Sequence, residues 1–70
     1  MTELTRNQII AAAAGTLEVL EVLGQGDGEM SLREIVALTG KPKGTVHRML
    51  STLVNTGYAT HDPEGGRYAL

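Results

Sequence analysis

Apolar and polar residues alternate with a helical period along three stretches of the chain. In the first, Asn7 to Leu23, apolar side chains recur every three or four positions, which predicts an amphipathic helix. The expected buried stripe comprises Ile10, Ala13, Leu17, Leu20 and Leu23. Ile9, Val19 and Val22 widen the apolar surface, and two interpretations of that width stay open. The helix is either well buried within the domain or offers surface to a partner, such as a second copy.

A short second helix is predicted between Ser31 and Gly40. Ser31 and Glu34 have the spacing of a capping box, in which a hydroxyl and a carboxylate satisfy each other's backbone N–H groups. Gly40 stands where glycine commonly ends a helix in a left-handed conformation. Glu29 and Met30, just before the helix, are expected to form a short edge strand. The apolar face of the helix comprises Leu32, Ile35 and Val36.

A third helix is predicted from Pro42 to Asn55, with Gly57 just beyond its end. Proline disfavours helical geometry at the preceding residue, so Lys41 belongs to the turn and Pro42 opens the helix. The core-facing residues, spaced by three and four, are Val46, Met49, Leu50, Leu53 and Val54. The outward-facing residues are Lys43, Gly44, Thr45, His47, Arg48, Ser51, Thr52 and Asn55.

Two short strands with tyrosines end the chain, at residues 58–62 and 67–70, and a Pro-Glu-Gly-Gly turn separates them. This pattern predicts a β-hairpin. The order of three helices and a hairpin is that of a winged helix-turn-helix, a mainly α fold with a small β-hairpin as its wing. Seventy residues allow one such domain, spanning residues 1–70.

Charge is distributed unevenly, although the net charge is only −2. Residues 1–30 hold five carboxylates and one arginine, whereas residues 31–55 hold four cations and one carboxylate. The predicted second and third helices are therefore locally positive, and a local field attracts a polyanion whatever the total charge. A merely solvated helix face is the alternative interpretation.

Other chemistries find little support in the sequence, so no enzyme, metal site or cofactor is expected. The chain has no cysteine, and His47 and His61 lack the spacing of metal ligands. His61 and Asp62 are adjacent on a predicted strand, so they point to opposite faces and form no catalytic dyad. The glycine-rich loop at residues 24–28 lacks the Lys-Ser/Thr ending of a nucleotide-binding loop. No apolar run approaches the roughly 20 residues of a membrane span, and a cytoplasmic location is expected.

The outward face of the third helix is predicted to bind double-stranded DNA. Arg48 can donate two hydrogen bonds to guanine or hold a phosphate, and Thr45 can contact a base or a phosphate. His47 can donate to an acceptor on a base or to a phosphate, and Ser51 extends the same face. Gly44 lets the backbone approach the duplex closely.

The flanks of this helix are predicted to hold the phosphate backbone. Lys41 and Lys43 are the simplest phosphate ligands because they lie at its N-terminal end. Arg67 follows the glycines of the hairpin turn and suits a narrow minor groove. Asp62 and Glu64 oppose that interaction locally.

The run Thr-Gly-Lys-Pro-Lys-Gly-Thr-Val-His-Arg-Met-Leu at residues 39–50, with Gly57-Tyr58 and Tyr68-Ala69-Leu70, resembles the N-terminal domain of the IclR family of bacterial transcription regulators. The resemblance covers about residues 9–70. It implies a homodimer on a pseudo-palindromic operator, with the first helix, about residues 7–23, contributing to dimer contacts. It also implies that Lys43, Thr45, His47 and Arg48 face the groove.

The family's second part is an effector-binding domain, so the chain is expected to be a fragment of a longer regulator. A small-molecule effector would then act only through that absent domain. The alternative is a winged helix used for protein contact or dimerisation without DNA binding, which the acidic first helix allows.

Overall fold

Three helices and a three-stranded sheet form the fold of the computed structural model, which describes residues 9–26 and 28–70. Helix α1 spans Ala11–Gln25, α2 spans Leu32–Thr39 and α3 spans Lys43–Asn55. Strands β1, β2 and β3 span Met30–Ser31, Thr60–Asp62 and Arg67–Ala69. They pair antiparallel in the order β1-β3-β2. The predicted winged helix-turn-helix is confirmed, and β1 adds an edge strand to the hairpin.

Helix α1 begins later than predicted, and its buried face agrees with the predicted stripe only in the second half of the helix. Ile10 is extended and precedes the first helical residue, while the predicted start at Asn7 lies outside the described residues. The buried residues are Gly15, Val19 and Leu23, and Leu20 packs against the core, whereas Leu17 is 60% exposed. The predicted stripe is therefore confirmed at Leu20 and Leu23 and wrong at Leu17.

A glycine occupies part of the buried face of α1. A Cβ atom placed at Gly15 would stand 2.7 Å from the Cε atom of Met49, at the end of a flexible side chain on α3. Because glycine contributes no apolar side chain, a hydrophobic pattern gives it no weight.

Helix α2 is bounded as the sequence predicts. The Ser31 Oγ atom accepts the Glu34 N–H at 3.1 Å, and the Ser31 N–H donates to Glu34 Oε1 at 2.8 Å, which completes the capping box. Gly40 ends the helix with φ +70°, and its N–H donates to the Val36 carbonyl. Ile35 is fully buried.

Helix α3 begins at Lys43, one residue later than predicted. Pro42 is extended, with ψ 145°, and caps the helix through its carbonyl, which accepts the Val46 N–H at 3.0 Å. Gly57 follows the helix with φ +88°, as expected for a glycine that ends a helix.

One hydrophobic core joins the helices to the sheet. Its buried members are Val19, Leu23, Met30, Ile35, Val46, Leu50, Leu53, Ala59 and Tyr68. Because every helix and both β1 and β3 contribute to it, α3 is fixed relative to the wing. Of the helices in the described ranges, none is long and apolar enough to cross a membrane.

Candidate nucleic-acid interface

Helix α3 turns a polar face away from the core. Val46, Leu50 and Leu53 mark its buried stripe, and the helical period places another set of residues on the opposite side. That outward set comprises Gly44, Arg48, Ser51 and Asn55. Ser51 is half-buried and the other three are exposed. This face presents the guanidinium of Arg48, the hydroxyl of Ser51 and the amide of Asn55. At Gly44 the backbone itself can approach a ligand.

A groove on the α1 side of this face holds both predicted base-reading residues. It has a volume of about 390 Å³. Its lining from α3 includes Thr45 and Arg48, and α1 contributes its first turn. Arg48 is exposed and Thr45 is half-buried, so the guanidinium has freedom to reach while the hydroxyl is held. The structure thus brings these two side chains together.

A second groove, the wing notch, separates α3 from the sheet. It has a volume of about 240 Å³ and is lined by His47, Ser51, Val54, Asn55, His61 and Tyr68. His47 and Ser51, two of the predicted site residues, therefore face the wing rather than α1. His61, which was not among the predicted DNA-binding residues, lines the notch from β2.

A third groove, the N-terminal cleft, opens between the starts of α2 and α3 and the tip of the wing. It has a volume of about 410 Å³ and is lined by Ser31, Leu32, Arg33, Val36, Lys43 and Gly66. Lys43 was predicted to contact phosphate, whereas Arg33 was not singled out. Both side chains are exposed, so two cations border the same cleft.

The cations of the described residues fall into two groups. Arg33, Lys43 and Arg48 form no ion pair with any described carboxylate. Lys41 and Arg67, in contrast, are engaged within the chain. All three members of the first group line grooves around α3, so the free positive charge is concentrated there.

Lys41 contacts helix α1. Its Nζ atom lies 3.4 Å from Glu18 Oε2, and its side chain is only 22% exposed. The same atom would stand 3.4 Å from a Cβ at Gly15. Lys41 therefore holds the turn of the helix-turn-helix against α1, and it is not among the residues that line the three grooves around α3.

Arg67 ties the wing to the start of α2. Its guanidinium donates at 3.0 Å to both the Glu29 carbonyl and Glu34 Oε1, and it lies 3.9 Å from the Glu29 carboxylate. Hydrogen bonds from the backbone and side chain of Ser31, together with the Arg67 charge, hold the pKa of the Glu34 carboxyl below its usual value. Arg67 thus does not join the other cations around α3, and its predicted minor-groove contact stays a prediction.

Gly44 has no structural reason within the chain to be glycine. A Cβ atom at this position would have nothing within 4 Å among the described residues, and the backbone has helical geometry rather than a positive φ. The open space beside it faces away from the protein. This environment agrees with the predicted close approach of DNA.

Arg33 could have been found from the sequence by its position. It is the second residue of α2, where the partial positive charge of the helix end disfavours a cation by about 0.3–1 kcal/mol. Lys43 carries the same disadvantage as the first residue of α3. Two cations at unfavourable helix ends, both beside one cleft, indicate a ligand with negative charge.

Comparison with known proteins agrees with this arrangement. Residues 12–63, more than half of the chain, match the family model described as the IclR helix-turn-helix domain. The chain is 34% identical over 62 residues to the HTH-type transcriptional regulator XynR of Escherichia coli K12, covering 89% of this chain and 25% of that protein. It is 32% identical over 54 residues to the transcriptional repressor IclR of the same organism, covering 77% of this chain and 20% of that protein.

Solved structures show the same architecture. An IclR family transcriptional regulator from Brucella abortus superposes with a TM-score of 0.84 at 38% identity, covering 97% of this chain and 26% of that one. HmgR of Pseudomonas aeruginosa superposes with a TM-score of 0.80 at 28% identity, covering 87% of this chain and 26% of that one. The chain spans about a quarter or less of the length of these relatives. It belongs to the IclR family of transcription regulators and carries that family's helix-turn-helix DNA-binding domain.

Proposed function

We propose that α3 enters the major groove with Arg48 and Thr45 at base edges and with Lys43 and Arg33 on the phosphate backbone. The wing then lies on the flanking backbone or minor groove. The observation that carries this proposal is the division of the described cations, since the three that form no ion pair with a described carboxylate all line grooves around α3. His47, Gly44 and Ser51 complete the contact surface.

Lys41 and Arg67 have a different task in this proposal. Their ion pairs with Glu18 and Glu34 brace the turn and the wing, and so hold α3 at a fixed distance from both. Any contact that they make with DNA would have to compete with these carboxylates.

Arg48 provides the direct test. The operator is obtained by selection from a random DNA library with the unaltered protein, and affinities are measured on the selected site and on random DNA. Arg48→Ala is expected to weaken specific binding by roughly 1–3 kcal/mol. Arg48→Lys should not restore it, because lysine cannot make the two parallel hydrogen bonds of a guanidinium.

Two results would contradict parts of the proposal. Equal losses on selected and random DNA, with recovery by lysine, would make Arg48 a phosphate contact. Absence of DNA binding even at low salt would favour the alternative of a winged helix used for protein contact alone.

We further propose that the regulator binds a pseudo-palindromic operator as a homodimer in the cytoplasm, with α1 in the dimer contact. An apolar groove of about 460 Å³ supports this, because α1 lines it with Leu17 and Leu20 and the end of α3 lies opposite. Leu17 is 60% exposed and Tyr58, at the same groove, is 64% exposed. A second copy would cover both side chains.

The dimer is tested by sedimentation of Leu17→Gln beside the unaltered protein. Because Leu17 is largely exposed, the substitution should leave the fold intact and shift the equilibrium towards monomer. An unaltered protein that stays monomeric on a DNA site with two half-sites would refute the proposed contact. A small-molecule effector, in this proposal, binds the part of such regulators that lies beyond the domain described above.

A further inference from the structure

We propose that the wing notch is a phosphate-binding site in which His61 is a DNA contact. The inference rests on the proposed function and extends it from α3 to the wing. It assigns a ligand to a residue, His61, that the recognition helix does not contain. The partner is the phosphate between the major groove and the minor groove.

The notch lies where that phosphate is expected to pass. When α3 lies in the major groove and the wing reaches towards the minor groove, the strand that separates the two grooves passes between them. In this molecule the space between α3 and the wing is the wing notch. Its volume of about 240 Å³ is roughly eight times that of a water molecule, so a phosphate group and bridging waters fit.

Hydrogen-bonding groups line both sides of the notch. From α3 come His47, Ser51 and Asn55, which the helical period brings to one face, and from β2 comes His61. Imidazole, hydroxyl and amide groups can all donate to a phosphate oxygen. The notch thus offers donors from two elements to a single acceptor.

Tyr68 fixes the direction of His61. The two residues are paired across β2 and β3, and their rings stack with centroids 4.4 Å apart and an interplanar angle of 20°. Tyr68 is only 7% exposed and belongs to the core, so it provides a rigid surface. The imidazole of His61 is therefore held at a defined angle on this surface.

Among the described residues, no carboxylate lines the notch beside the two histidines. Its titratable lining groups are His47 from α3, His61 from β2 and Tyr68 from β3. The neighbouring Asp62 points to the other face of the strand, and its Oδ1 atom accepts the Glu64 N–H at 3.0 Å. With no acidic side chain among the described lining residues, a phosphate is the anion that would pair with these imidazoles.

The experiment measures the DNA affinity of the unaltered chain and of His61→Ala under the same buffer and salt conditions. DNA is the site selected by the unaltered protein, with random DNA as a second probe. His61→Ala should bind both DNAs about threefold to tenfold more weakly, because it removes one hydrogen bond to a phosphate.

Thr60→Ala is the matched control, because Thr60 lies on the same strand but points to the opposite face. It should leave the affinity for both DNAs unchanged. Thermal melting of each variant establishes that the fold is retained.

Several outcomes would overturn the inference. One is identical binding by His61→Ala and the unaltered protein, and another is a loss confined to the selected site, since a phosphate contact must act equally on random DNA. If Arg48→Ala still lowers specific binding while His61→Ala does not, the role of α3 stands and the wing notch fails alone. If the unaltered protein selects no DNA, the proposed function itself fails.

Discussion

The cations of this domain should differ sharply in their effect on salt dependence. Each phosphate contact contributes about −0.9 to the slope of log affinity against log salt concentration, so one contact changes affinity by about 3.5-fold when salt rises fourfold. If only Arg33 and Lys43 contact phosphates, the cations of each copy contribute a slope of about −1.8. If Lys41 and Arg67 also did, the slope would approach about −3.6.

The assay is fluorescence anisotropy with a random-sequence duplex, on which base contacts carry no advantage. Lys43→Gln is expected to reduce the slope by about 0.9. Lys41→Gln is expected to leave it unchanged, because the Lys41 amine is held by Glu18 at 3.4 Å. Glu18→Gln is the matched control, since it removes the same ion pair but leaves the cation in place.

One result would refute this reasoning about the ion pairs. If Lys41→Gln reduced the slope as much as Lys43→Gln, the lysine would leave Glu18 on binding and grip a phosphate. The fold should survive both substitutions, because an ion pair with a partner as exposed as Glu18, at 58%, contributes at most about 1 kcal/mol.

Three further predictions concern α2 and α3. Ser31→Ala removes the hydroxyl cap of α2 and should lower the unfolding free energy by about 0.5–2 kcal/mol. Each kcal/mol lost should lower the melting temperature by about 4–8 °C. Because the pKa of Glu34 is lowered in the fold, its carboxylate stabilises the fold above about pH 4.5, and this stabilisation is lost as pH falls through the folded pKa. In melting curves, Glu34→Gln should therefore lose less stability at low pH than the unaltered protein. Gly44→Ala should raise stability by about 0.4–1 kcal/mol, since its Cβ meets nothing, yet it should weaken DNA binding.

Each of these predictions has a clear contrary result. An unchanged melting temperature for Ser31→Ala would mean that the cap contributes nothing to the fold. Equal acid sensitivity of Glu34→Gln and the unaltered protein would locate the titrating group elsewhere. Tighter DNA binding by Gly44→Ala would remove the argument for a close backbone approach, and Gly40→Ala, at φ +70°, is the control that should destabilise the fold.

Features that depend on neighbouring residues were predictable from the sequence. The capping box of Ser31 and Glu34 and the left-handed glycines Gly40 and Gly57 involve partners within a few positions, and all are confirmed. The hairpin and the polar face of α3 follow from short periodic patterns in the same way. Local chemistry therefore determined the boundaries of α2 and, to within one residue, of α3.

Features that depend on distant partners were not predictable. The burial of Gly15 in α1 was missed because it packs against Met49, 34 positions away. The ion pairs of Lys41 with Glu18 and of Arg67 with Glu34 join long, flexible side chains across the fold. No pattern along the chain shows that Lys41 and Arg67 are engaged in this way, so both were predicted as DNA contacts.

The junction at Ser31 has a consequence for the thermodynamics of binding. Ser31 is both the last residue of β1 and the N-cap of α2, so no linker separates the sheet from the helix-turn-helix. The wing and α3 therefore form one preorganised unit that can dock without freezing a hinge. Ordering mobile segments lowers affinity, so this domain should lose little conformational entropy when α3 and the wing bind DNA together. The backbone amides of the wing should therefore resist hydrogen exchange before DNA is added.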